Sequence, residues 1–154
     1  MDSSAIIDVL QPLVPGAALE AGRSVDFATI YVPADRLVET CRALRDTPAL
    51  DFKVLTEITA ADYLPREPRY EVVYILVSIA NRLRLRMKVR LPNDAAHLAT
   101  VSSIWPAANW LEREVWDLFG IAFDGHPDPR RLLMPEDWEG HPLRKDYPIT
   151  GSRI

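Results

Sequence analysis

The ten residues RLRLRMKVRL, Arg82 to Leu91, leave little choice of structure. Leu83, Leu85, Met87, Val89 and Leu91 alternate without a fault with Arg82, Arg84, Arg86, Lys88 and Arg90. At the two-residue period of a strand, the apolar side chains point one way and the cations the other. A half-buried strand explains the whole pattern, with the basic row on a solvated face against acids of its neighbours. No aromatic residue interleaves with the row, so it lacks the stacking platform of an RNA-binding strand. The formal net charge of −4 also argues against nucleic acid as a partner.

Two further segments have strand character, "FKVLTEITA" (52–60) and "RYEVVYILVSIA" (69–80), and "VDFATIYV" (25–32) precedes them. Helical spacing enters twice before them. Ser3 or Ser4 is placed to cap a helix whose Ile6, Val9, Leu10 and Leu13 share a face, stopped by Pro15-Gly16. Pro33 opens a second helix with Leu37, Cys41 and Leu44 on one stripe, which makes Cys41 a buried structural thiol. After Pro92, "DAAHLATVSSIW" (94–105) reads as a helix broken at Pro106, and another follows from about Ala107 to Phe119, ended by Gly120. The expected fold class is α+β: a two-layer domain with helices packed on a mixed sheet over residues 1–120. Five of the 13 prolines lie between Pro127 and Pro148, so 121–154 is expected to be an extended docking arm with one short helical turn at most.

One cysteine excludes an intrachain disulfide and a four-thiolate zinc or iron–sulfur site from this chain. The N-terminus lacks the basic flank and cleavage site of a signal peptide. The longest apolar run, Val72 to Ala80, is far short of the ~20 residues a membrane helix needs. The expected location is the cytoplasm, with any membrane contact indirect.

On a helical wheel, Leu111, Val115, Leu118 and Phe119 form one apolar face of the last helix, opposite Arg113, Glu114 and Asp117 with Trp110. Glu112 falls at the apolar edge, where an ionised carboxylate needs a partner. The arm offers Arg130, Arg131, Arg144 and Lys145 for that structural role. His126 with Asp128, and His141 with Asp146, do not have the spacing of a metal site. No nucleophile elbow, phosphate loop or dinucleotide fingerprint occurs. An arm stiffened by proline and exposing Leu132, Leu133, Met134 and Trp138 is suited to docking, and is expected to be poorly ordered without its partner.

The stretch "EREVWDLFGIAFDGHPDPRRLLMPEDWEGHPLRKDYP", about a quarter of the chain, resembles the signature region of the C subunit of the proton-pumping NADH:quinone oxidoreductase, respiratory complex I. The resemblance is carried by Glu112, Arg113, Glu114 and Asp117, then by His126, Arg130, Leu132 and Leu133. The closing motif supplies Gly140, Pro142, Leu143, Arg144, Lys145 and Asp146. It implies a cofactor-free member of the hydrophilic arm, on the cytoplasmic side of the membrane. Its neighbours would be the D subunit, which helps form the quinone site, and the iron–sulfur B and I subunits. The FMN, iron–sulfur clusters, NADH and quinone would then sit on those and other subunits. With the chain ending soon after Pro148, no long C-terminal extension and no fusion to the D subunit are expected. The resemblance extends to a membrane-bound hydrogenase or plastoquinone-type dehydrogenase, each of which uses a similar component. The competing class is a free-standing hydrolase built on Glu112, Glu114, His126 and Asp128. The signature residues, with Arg131 and Trp138, are accordingly expected at an interface rather than in a catalytic centre.

Overall fold

The alternating segment forms β5 (Leu83–Leu91), with Leu85, Met87, Val89 and Leu91 buried and the cations outward, in the computed structural model, which describes residues 1–151. β5 runs parallel to β2 (Ala28–Tyr31) and antiparallel to β4 (Tyr70–Ser78). β1 (Glu20–Ala21) and β3 (Val54–Asp62) close the edges, giving the order β1-β2-β5-β4-β3. The acids expected opposite the basic row are present: Asp26 on Arg86 at 3.1 Å, Glu20 on Arg90 at 3.2 Å and Glu71 on Lys88 at 3.6 Å. Periodicity could not show that Phe27 and Tyr31, from the neighbouring strand and its lead-in, also lie under these cations. The row is thus held by cation–π contacts as well as by charge.

The opposite face of the sheet carries the helices. α1 (Ser3–Leu10) buries Ser3, Ile6 and Leu10, and α2 (Leu37–Asp46), entered through a 3-10 turn at Ala34–Arg36, buries Leu37, Thr40, Cys41 and Leu44. The α1 cap is Asp2, whose carboxylate accepts from Ala5 N at 2.8 Å. Ser3, an expected cap, instead accepts from Thr29 N at 3.0 Å and ties the helix to β2. Leu13 is half exposed and Val14 takes the core position, because the chain has left the helix by then.

The region after Pro92 departs from expectation. Residues 94–105 are not helical: His97–Ala99 is a short strand, β6, pairing in parallel with β7 (Ala122–Asp124). Thr100 helps to explain why. Its hydroxyl accepts from Ser102 N at 3.1 Å, a local bond that competes with helix formation. β7 lies beyond the next helix in sequence, so no local pattern announces the pairing. That helix, α3 (Ala108–Phe119), packs against β3 and ends at Gly120 in the left-handed conformation, as its sequence indicates. Just past Gly120, Ile121 and Phe123 are core residues. After Asp124 no helix or strand forms among the described residues, as the prolines dictate.

Candidate functional site

α3 organises the remainder of the chain. The expected polar face is only partly solvated: Trp110 is exposed, but Arg113 is 6% exposed and Asp117 0%, because the arm folds back over them. The Asp117 carboxylate accepts from Arg131 Nη1 at 2.7 Å and from three successive backbone N–H groups, of Leu132 (3.2 Å), Leu133 (2.7 Å) and Met134 (2.8 Å). Burial pushes its carboxyl upward, but the Met134 N–H, the Arg131 guanidinium and the other two amides outweigh it and hold it below its ordinary value. Arg131 continues the network to the carbonyls of Trp138 (2.8 Å) and Gly140 (2.9 Å). Arg113 reaches the carbonyls of Arg130 and Arg131, each at 3.0 Å, and stacks on Trp110. Side chains on α3 therefore act as the hydrogen-bonding partners that a proline-rich segment cannot find in a ladder.

Glu112 finds a partner, but not on the arm. Its two oxygens accept from Thr100 Oγ1 at 2.5 Å and Val101 N at 2.7 Å, so it fixes the β6–α3 connection. The four expected cations are elsewhere, because Glu112 faces the loop whose spacing predicts a helix. Burial raises its carboxyl, partly offset by these two donors and by His126, whose Nε2 lies 3.8 Å away. His126 accepts from Asp128 N through Nδ1 and contacts the Asn109 carbonyl through Nε2, each at 2.9 Å. A small cavity of about 130 Å³ lies beside Glu112, Arg113, Trp116, Phe123 and His126. Both oxygens of the one carboxylate in its wall are occupied, and Glu114 is on another part of the helix surface. That geometry gives the hydrolase alternative no acid–base pair facing a substrate.

A second junction joins the arm to the sheet. The side chains of Asp62, at the end of β3, and Arg69, just before β4, are each 2% exposed and paired at 2.8 Å through two parallel bonds. Asp62 Oδ2 also accepts from Lys145 N at 2.8 Å, and Arg69 Nη2 lies 3.3 Å from Asp146. Arg144 grips Asp146 with Nε and Nη2, each at 2.9 Å. The sequence offers Arg144 either Glu112 or an acid on a neighbour; its carboxylate is Asp146, two residues along. Sequence reasoning missed Asp62 and Arg69. The available signal was an acid and an arginine bracketing the proline-rich connection between two strands.

Of the residues expected together, Arg113, Asp117, Arg131 and His141 converge, the last meeting the Asp117 carbonyl through Nδ1 at 3.0 Å and packing on Trp116. Arg130 turns outward to Asp128 at 2.6 Å. Glu114 is half-buried with no ion pair among the described residues, and Lys145 is exposed. No group of three or more His, Cys, Asp or Glu is placed to hold a metal among the described residues.

A one-sided mixed sheet whose last helix is devoted to fixing an extended segment defines an α+β protein with a structured C-terminal arm. Residues 30–153 match the family described as "Respiratory-chain NADH dehydrogenase, 30 Kd subunit". The chain belongs to that family. It is 43% identical over 154 residues to the NADH-quinone oxidoreductase C subunit of Roseiflexus sp. (strain RS-1), covering all of this chain and 88% of the relative. The C subunit of Geobacter metallireducens is 52% identical over 124 residues, 80% of this chain and 75% of that one. Among solved structures, a trypsin-resistant fragment (1–134) of Nqo5 superposes with TM-score 0.66 at 34% identity, over 83% of this chain and 99% of the fragment. A polypeptide of the membrane-bound sulfane sulfur reductase, an archaeal respiratory membrane complex, gives TM-score 0.79 at 30% identity, over 95% of this chain and 85% of its own.

Proposed function

We propose that this chain serves as a cofactor-free scaffold in the hydrophilic arm of a proton-pumping NADH:quinone oxidoreductase, docking through residues 121–154 onto the D subunit beside the iron–sulfur B and I subunits. Family membership makes it a component of an NADH:quinone oxidoreductase. One observation supports the docking role above the rest. The arm's buried polar groups are satisfied largely within the chain, yet it presents Leu133 and Leu143 at 61% and 52% exposure, with Ile149 fully outward. Exposed apolar side chains on a segment already held in shape lose little entropy on association. In this role the signature cations and acids shape the interface from within, and Arg130, Lys145 and Glu114 offer charge at its surface.

No helix among the described residues is long and apolar enough to cross a membrane. Membrane contact is then made by other subunits, with this chain on the cytoplasmic side. NADH, FMN, iron–sulfur clusters and quinone belong to those subunits as well. The likeness to the sulfane sulfur reductase polypeptide favours a second reading, the equivalent component of a related respiratory complex with another electron donor. A tagged purification from solubilised membranes, with mass spectrometry and a donor-specific assay, decides between them. Copurification of the D, B and I subunits with NADH-driven quinone reduction is the expected result. Recovery of the chain alone, with its own hydrolytic activity, would overturn the scaffold.

A further inference from the structure

Among the described residues no helix covers the face of the sheet that carries the basic row, and Glu57, Thr59, Arg84 and Arg90 are exposed there. β4 does not suit that setting. A strand with one face in water alternates apolar with polar, as β5 does, whereas an unbroken apolar run belongs to a strand covered on both faces. Val72, Tyr74 and Leu76 of β4 point into the core. The intervening Val73, Ile75 and Val77 point outward and are only partly buried. Ile79, just past the strand end, is 75% exposed. Register sets Val77 between Arg84 and Val54, and Ile75 between Arg86 and Glu57. An apolar stripe one strand wide therefore runs between the cations of β5 and the polar outer side of β3.

The cations are not equivalent. Arg86, Lys88 and Arg90 each have an acid. Arg84 has none among the described residues, and its guanidinium lies over the Phe27 ring, 4.7 Å from the centroid. Stacking holds the fork in place while its N–H groups make no hydrogen bond among the described residues, an arrangement that takes a carboxylate through two parallel bonds. Arg84 and Ile79 lie at the β4–β5 hairpin, and the arm meets the sheet at the other end, where Asp62 pairs with Tyr70. Seven residues of strand, about 24 Å, separate Val77 from Tyr70.

We propose that the hairpin end of this uncovered face docks one amphipathic helix of a neighbouring subunit, with its apolar ridge on Ile75, Val77 and Ile79 and an acidic side chain on Arg84. The step rests on the assembly role proposed above and adds a contact remote from the arm. A stripe about 5 Å wide, the spacing of one strand, matches the ridge of a single helix. A second sheet packed face to face would instead lay apolar side chains over Arg86 and Lys88. The unpaired cation beside the stripe sets the sign of the partner's flank.

Crosslinking in the intact complex tests this. Cys41 is fully buried, so Ile79→Cys and, separately, Leu143→Cys each offer one accessible thiol for a benzophenone label. The label at position 79 should capture a helical segment of another subunit that carries an Asp or Glu within two turns. Arg84→Glu, a change on an exposed side chain, should leave the melting temperature of the isolated chain nearly unchanged. It should also speed release of the chain from the purified complex about tenfold, the worth of one hydrogen bond to a charged group. Replacing the captured acid by Lys should restore slow release to Arg84→Glu. Capture from position 143 but not from 79 would overturn the proposal and leave the arm's docking intact. So would capture of lipid or of a second copy of this chain from position 79, or unchanged release of Arg84→Glu. Recovery of the wild-type chain without other subunits would remove the assembly role, and this surface with it.

Discussion

Replacing Asp62 by Asn tests how the arm is held. The carboxylate is 2% exposed and accepts four bonds, from Arg69 Nε and Nη2, Leu64 N and Lys145 N, at 2.8–3.0 Å. An amide of the same shape must turn an N–H toward one of these donors. Breaking a buried ion pair by removing one partner costs about 3–5 kcal/mol. Arg69 keeps Asp146 at 3.3 Å and Asn93 at 2.8 Å, which selects the lower end, about 3 kcal/mol. At this chain length 1 kcal/mol moves Tm by about 2–4 °C, so Asp62→Asn should melt roughly 6–12 °C lower at neutral pH.

Acid should erase the difference. The Arg69 hydrogen bonds, above the opposing effect of burial, lower the Asp62 carboxyl to about 2. The unfolded chain takes up its proton first, near pH ~4. Stability from Asp62 is therefore complete above that pH and is lost as pH falls through about 2. A depression of this size is worth about 2 kcal/mol, consistent in scale with the mutational loss. Melting curves of both forms across this range, with limited proteolysis at 140–151, make the assay. A Tm change below about 2 °C at neutral pH, or a gap that widens on acidification, would refute the reasoning.

Gly120→Ala should cost about 1–2 kcal/mol for the left-handed backbone. It should also speed proteolysis of the arm, because the added Cβ would lie 2.7 Å from His141 Cδ2; an uncleaved arm would count against this. Glu112→Gln should be tolerated, since its amide can accept from Val101 N and donate to Thr100 Oγ1. Its wild-type carboxyl is raised by burial, so wild-type stability should fall as pH climbs through that raised value while the Gln variant stays level; parallel pH profiles would contradict this. Cys41 is fully buried and its thiol is pushed far up, chiefly by burial, so a thiol reagent should label it no faster than the chain unfolds.

The strands β3, β4 and β5, the α2 stripe and the Gly120 stop were legible from sequence because each is a local period or a single residue's backbone preference. Solvation of the basic row was legible too, since strand geometry sends alternate residues to opposite faces. The signature stretch pointed to the family, but not to what its residues do. Arg131 and Asp117 bond to each other within the chain, as Arg144 does to Asp146, and Glu112 is paired with a loop expected to be helix. Asp62 and Arg69 carried no mark of their role, for Asp62 lies 83 residues before the Lys145 amide that it holds. Periodicity reports which face of an element is apolar. It is silent on which distant segment supplies the acceptor for a buried donor, and that pairing is decided only when the arm folds back across α3 and the end of β3.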